Sequence, residues 1–181
     1  MRAKVCVIVI LLSACIWTRG EGKEAAVSQF TLTSPGFRNN QPTPVKYTAD
    51  GQDISPPLHW EGVPAGTKNF ALICDDPDAP GGTWIHWVLY GIPATSTQLP
   101  EGVAKSDSVG TLKQGMNDFG KVGYGGPMPP RGHGVHHYHF RLYALDAELK
   151  LAPRVTRQQL DAAMKGHTLA QTELVGTYQR D

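Results

Sequence analysis

Asn69-Phe70-Ala71-Leu72-Ile73-Cys74-Asp75-Asp76-Pro77-Asp78-Ala79-Pro80-Gly81-Gly82-Thr83-Trp84-Ile85-His86-Trp87-Val88-Leu89-Tyr90-Gly91-Ile92 reads as two strands joined by an acidic turn. Residues 69–75 and 83–92 are apolar at both odd and even positions, the pattern of strands covered on both faces. Two prolines lock the turn and leave either X–Pro bond open to the cis form. Outward from this pair, residues 29–33, Val45–Tyr47 and Leu58–Glu61 are short strand candidates, separated by the Asp50-Gly51 and Ser55-Pro56-Pro57 turns. Residues 136–146 return to strand character, and 169–178 read more as strand than helix. Residues 110–134 hold eight glycines and three prolines, a density expected to exclude regular structure and to leave a long functional loop. A helix is expected after Thr156: Thr156 and Gln159 form a capping box, Leu160, Ala163 and Met164 share a face, and Gly166 stops the run. The fold expected is mostly β, an antiparallel β-sandwich with Greek-key connections and one or two short C-terminal helices.

The 181 residues suit one domain, and 17 Lys+Arg against 16 Asp+Glu leave a formal charge of +1. That balance offers no basic field for a nucleic acid backbone. The N-terminus places Arg2 and Lys4 before the apolar run from Val5 to Cys15, which reads as residues 1–14 of an export signal. Leu12-Ser13-Ala14-Cys15 resembles a bacterial lipobox, with Cys15 as the lipidated residue. Residues 15–28 then read as a tether, and 29–181 as the folded domain. This predicts an exported protein anchored by lipid in the bacterial envelope, at the outer membrane or periplasm, the membrane being met only through that anchor; the alternative is a periplasmic or secreted protein without it. Losing Arg2 and Lys4 would turn the slight basic excess acidic, so any bound anion must be caught by a local pocket. With Cys6 in the signal and Cys15 carrying lipid, Cys74 has no internal partner and is expected to be a buried small hydrophobe.

Four of the seven histidines lie in His133-Gly134-Val135-His136-His137-Tyr138-His139. Alternation along a strand divides them. His136 and Tyr138 share a face with Phe140, Leu142 and Ala144, which marks the core side; His137 and His139 fall on the other. No three histidines converge locally, so no metal is expected. His86 shares its parity with Trp84, Val88 and Tyr90, and Asp78 in the preceding turn is placed to reach the same end of the molecule. The tryptophans are expected to be core residues. No Gly-x-Ser-x-Gly, P-loop or helical paired-histidine motif occurs, so neither a cofactor nor an enzymatic activity is expected.

Asp76-Pro77-Asp78-Ala79-Pro80 followed by Trp84-Ile85-His86-Trp87-Val88 resembles the first signature of the phosphatidylethanolamine-binding protein family. Gly115-Met116-Asn117-Asp118-Phe119-Gly120 with the 123–140 stretch resembles the second. Ala163-Met164-Lys165-Gly166-His167 and Leu174-Val175-Gly176-Thr177-Tyr178 are similar to the bacterial Raf-kinase-inhibitor-like branch. The resemblance implies a β-sandwich with a small pocket at one end for phosphate, phosphorylethanolamine-like headgroups and similar anions. Its walls would be Asp78, His86, Gly126, Pro127, His136 and Tyr138. Met128 departs from the cysteine, and His137 from the arginine, found in many relatives. Within such a pocket Gly125 and Gly126 would offer backbone N–H groups to the anion as a nest, beside donors on His86, His136 and Tyr138.

The function expected is therefore a non-enzymatic exported binding protein for a small anion or phosphorylated headgroup. The alternative is a protein-interaction or protease-inhibitor module of the cell envelope that docks a partner through the same pocket. Kinase inhibition does not suit an exported chain and is not carried over. A homodimer is implied by family analogy alone.

Overall fold

The computed structural model describes residues 29–181. The signal, the Cys15 lipidation site, Trp17 and the whole tether lie outside the described residues. In chain order the strands are β1 (Thr31–Thr33), β2 (Gln41–Pro42), β3 (Leu58–Glu61), β4 (Asn69–Asp76), β5 (Trp84–Pro93), β6 (Gln98–Leu99), β7 (Ser108–Val109), β8 (Leu112–Gln114), β9 (His136–Leu145) and β10 (Thr168–Tyr178); one helix, α1 (Arg157–Met164), precedes the last of them. Seven strands form one sheet in the order β2-β10-β9-β4-β5-β8-β7, and three form another in the order β1-β3-β6.

The apolar runs explain the centre. Every residue of β4 is buried, and it lies antiparallel between β5 and β9. Phe70, Leu72 and Cys74 face one apolar cluster with Trp87, Phe140 and Leu142, to which Leu58 and Trp60 of the smaller sheet contribute. Ala71 and Ile73 face a second cluster with Val88, Tyr90 and the helix residues Leu160 and Met164. Both parities are apolar because each face of β4 is covered, by the small sheet on one side and by α1 on the other. Cys74 is a free, buried thiol within the first cluster.

Several expectations are corrected. Pairing is not uniformly antiparallel, because β2 runs parallel to β10 along the edge. Val45–Tyr47 is a 3-10 turn: Pro44 has no N–H to offer a ladder, and i→i+3 bonds run from Tyr47 N to Pro44 O at 2.9 Å and from Thr48 N to Val45 O at 2.9 Å. The glycine-rich stretch does hold regular structure, since β8 lies inside it and pairs with β5. No peptide bond among the described residues is cis. Among the described residues there is one α-helix, capped as its sequence specifies, with Thr156 and Gln159 bonding reciprocally.

The pairing of β4 with β5 carries the detail that builds the site. Cys74 opposes Trp87 and Asp75 opposes Ile85, so His86 is an extra residue on β5. This β-bulge reverses the alternation. Val88 and Tyr90 face the helix side, whereas His86, two residues before Val88, faces Tyr138, their ring centroids 5.0 Å apart. Grouping His86 with Val88 and Tyr90 by parity is thus overturned by the bulge.

Candidate functional site

Where β4, β5 and β9 end together, a cavity of about 250 Å³ opens. Asp76, His86, His136 and Tyr138 supply its polar groups, and Trp84, Phe119, Met128 and Pro130 contribute apolar walls. Trp84 is 37% exposed at the mouth, so its indole is not a core group as expected.

Asp76 continues the core-facing phase of Phe70, Leu72 and Cys74 and is buried. One carboxylate oxygen accepts from His136 Nδ1 at 2.7 Å. The other accepts from the backbone N–H of Asp78 at 2.9 Å, closing a turn across Pro77. Because a carboxylate only accepts, His136 carries its proton on Nδ1, and Nε2 is turned to the cavity. There Nε2 meets His133 Nδ1 at 2.8 Å. His133 is exposed and sits between Gly132 at φ +71° and Gly134 at φ +85°, left-handed positions that glycine adopts without strain.

His86 Nδ1 donates to the carbonyl of Gly125 at 2.6 Å. Its Nε2 therefore carries a lone pair in the neutral ring. Burial pushes the His86 pKa down, against the opposing bond to Gly125 and the charge of Asp76. A histidine held neutral in the folded state but free to ionise when unfolded takes up protons on unfolding as pH falls below its ordinary value of about 6.5. Its contribution to stability is complete above that value and is lost on acidification. Urea unfolding between about pH 7.5 and about pH 5.5 is expected to show falling stability, and His86→Gln to show a shallower fall.

Tyr138 is buried, and its hydroxyl has no hydrogen-bond partner. Burial first, and the charge of Asp76 second, push its pKa far above the phenol range, so it remains an O–H donor. An unpartnered buried hydroxyl costs stability. Here it lines the cavity.

The six residues named by resemblance are placed differently. His86, His136 and Tyr138 line this one cavity. Asp78 is exposed at its edge, and its carboxylate accepts from the backbone N–H of His137 at 2.9 Å and from His137 Nδ1 at 2.8 Å. Its burial alone would raise its pKa, but these two bonds outweigh that and lower it. The two aspartates of Asp76-Pro77-Asp78 thus each hold one ring of the adjacent His136-His137 pair. Gly126 and Pro127 are buried behind the wall: Gly126 N–H donates to Asp53 Oδ1 at 2.6 Å, and Pro127 O accepts from Ala49 N–H at 3.0 Å. A Cβ on Gly126 would lie 2.5 Å from the carbonyl oxygen of Tyr47, so the two backbones meet here only because residue 126 has no side chain.

The expected nest is spent internally. Gly125 N–H donates to His86 O at 2.9 Å, and Gly126 N–H is taken by Asp53. Any donors to an anion must come from side chains. Asp76 is not among the six residues that the resemblance names, although its parity with Phe70, Leu72 and Cys74 points it to the cavity. The role of His133 depends on a loop path that alternation does not describe. Among the described residues no group of three or more His, Cys, Asp or Glu is arranged to hold a metal ion.

Comparison with known proteins agrees with the sequence signatures. Residues 33–179 match the family model described as phosphatidylethanolamine-binding protein. A UPF0098 protein of Aquifex aeolicus is 52% identical over 149 residues, covering 82% of this chain and 87% of that one. An archaeal UPF0098 protein, from Pyrococcus horikoshii, is 48% identical over 176 residues, covering 96% and 85%, so the branch extends beyond bacteria. Escherichia coli YbcL, described as a new member of the mammalian PEBP family, superposes with a TM-score of 0.79 at 34% identity, covering 84% of this chain and 99% of its own. A PEBP homologue from Chlamydia trachomatis gives a TM-score of 0.77 at 41% identity, covering 84% and 98%. With both signatures present, the fold shared and nearly the whole described chain matched, this protein belongs to the phosphatidylethanolamine-binding protein family.

Proposed function

We propose that this chain is a non-enzymatic binding protein whose His86–His136–Tyr138 cavity holds a small phosphate-monoester headgroup such as phosphorylethanolamine. The observation that carries this reading is the buried, unpartnered hydroxyl of Tyr138. It is a donor held at a cost, on a residue that lines the cavity beside Asp76. His136 Nε2 supplies a second donor when the ring is protonated, with Asp76 balancing its charge. His86 Nε2 supplies an acceptor, suited to a P–OH or an ammonium group. A phosphate bearing an amine uses both kinds of partner.

The cavity carries no fixed positive charge. Its one carboxylate, Asp76, is engaged by His136 Nδ1 and by the Asp78 N–H, so a phosphate is met by hydrogen-bond donors rather than by a lysine or arginine.

Tyr138→Phe separates a binding role from a structural one. It is expected to weaken phosphorylethanolamine about tenfold to a hundredfold, the worth of a hydrogen bond to a charged group. The same change is expected to stabilise the ligand-free protein by about 1 kcal/mol, because a buried orphan hydroxyl is removed. A loss of stability with unchanged binding would sink the proposal. His133→Ala uncovers His136 Nε2 and is expected to tighten binding about threefold at neutral pH, the value of one exposed contact that the ligand no longer has to displace.

The compartment forms part of this reading. The N-terminal apolar run supports export, with Cys15 as a lipid anchor, residues 15–28 as a tether and 29–181 as a β-sandwich domain with Greek-key crossings. Trp84, Met128 and Val135, exposed at or near the mouth, favour a second reading in which a partner protein docks over the cavity. A pull-down from envelope extract that excess phosphorylethanolamine abolishes would support it.

A further inference from the structure

Behind Phe119 and Met128, which line both spaces, lies a second cavity, also of about 250 Å³. Its chemistry is unlike the first. Phe119, Val122, Tyr124 and Met128 form apolar walls, and the charged groups are Lys105, Lys121 and Asp53.

The aspartate is fully committed. Asp53 sits at φ +54°, a left-handed conformation rare for a residue with a side chain. One of its carboxylate oxygens accepts from Gly126 N–H at 2.6 Å, and the other accepts from Lys105 Nζ. Its charge is thus spent on Lys105. Lys121 meets no carboxylate among the described residues, so the residues lining this space carry one lysine charge in excess.

Shape narrows the occupant. The Phe119 ring forms the partition and fits because Gly125 has no Cβ, which would lie 2.8 Å from its ring carbons. The Tyr124 ring is buried and anchored, its hydroxyl donating to Tyr47 O at 2.8 Å. Two ordered aromatic rings and a thioether favour a flat apolar body. The volume is below the roughly 300–1,000 Å³ of drug-sized sites, which leaves room for one ring with one substituent.

We propose that this second cavity is a distinct binding site for a small aryl anion, a single aromatic ring bearing a phosphate or carboxylate. Lys121 holds the charge, and Phe119, Tyr124 and Met128 hold the ring. The site stands apart from the headgroup reading of the first cavity and uses none of its polar side chains. It also places the attraction for a fixed anion where the lysines are, rather than beside Asp76.

The test is an amide chemical-shift titration of the full chain with phenyl phosphate. The largest shifts are expected at Gly125, Gly126 and Lys121. Inorganic phosphate and phenol each carry half of the chemistry and are expected to bind at least about tenfold more weakly. Lys121→Glu, a change at an exposed side chain, is expected to weaken the phenyl phosphate response read at Lys121 and Gly126 about tenfold, while Tyr138→Phe, which acts on a phosphate in the first cavity, leaves the response at Lys121 unchanged. Shifts confined to Trp84 and His136, sensitivity of the Lys121 response to Tyr138→Phe, its indifference to Lys121→Glu, or inorganic phosphate binding there as tightly as phenyl phosphate would each overturn the proposal.

Discussion

His136→Ala is expected to abolish most phosphorylethanolamine binding and to cost about 3 kcal/mol of stability, the upper end for removing a hydrogen-bond partner from a buried carboxylate. The ring is buried, and its Nδ1 lies 2.7 Å from Asp76, itself buried. Alanine removes the Nε2 edge that faces the cavity and leaves the carboxylate with one backbone N–H as partner. The effect on stability should be strongly non-additive with Asp76→Ala, because the double variant has no orphaned charge. Urea unfolding of the two single variants and the double variant measures that coupling, and calorimetry measures the binding. Single-variant losses that simply add would show that the pair is not a unit. Normal binding by His136→Ala would place the headgroup elsewhere.

Trp87→Ala is expected to be at least as costly, about 3–5 kcal/mol from the cavity left by the indole. Trp87 is fully buried, with its ring edge-on to Tyr124 at 5.7 Å. Its Nε1 also donates to Gln114 Oε1 at 2.7 Å, and the same amide donates through Nε2 to Ala104 O at 2.7 Å and Ser106 O at 2.8 Å. The indole therefore ties the chain at 104–106 to β5 through one side chain. Trp87→Phe keeps most of the packing but orphans Gln114 Oε1, with an expected cost of about 1–3 kcal/mol. Chemical unfolding of both variants separates packing from the hydrogen bond. The bond to Gln114 has no structural weight if Trp87→Phe unfolds like the unaltered protein.

Much of the site was legible because alternation is a local property. Along β9, His136 and Tyr138 fall in phase with Phe140, Leu142 and Ala144, and the strand is regular there, so their common face follows from counting. The capping box at Thr156 is equally local, needing only two residues three apart. Asp76 is legible by the same counting along β4, in phase with Phe70, Leu72 and Cys74, whereas the exposed position of Asp78 follows from the turn beyond the strand. The short strand β8 was hidden because glycine and proline density reports local preference, whereas β8 exists through its pairing with β5.

The sequence by itself determined a mostly-β chain with one capped helix, a central pair of strands covered on both faces, and a core-facing His136 and Tyr138. Each of these follows from short-range periodicity and from the energy of burying apolar surface, which depends on composition in a window. The tertiary structure alone decided which groups meet. The β5 bulge turns His86 away from Val88 and Tyr90 and towards Tyr138. Close contact between the 47–53 and 125–127 backbones spends the Gly126 N–H on Asp53, and two left-handed glycines bring His133 onto His136. A one-residue change of register or a loop closure reverses or relocates a side chain without altering composition or periodicity, so neither property records it.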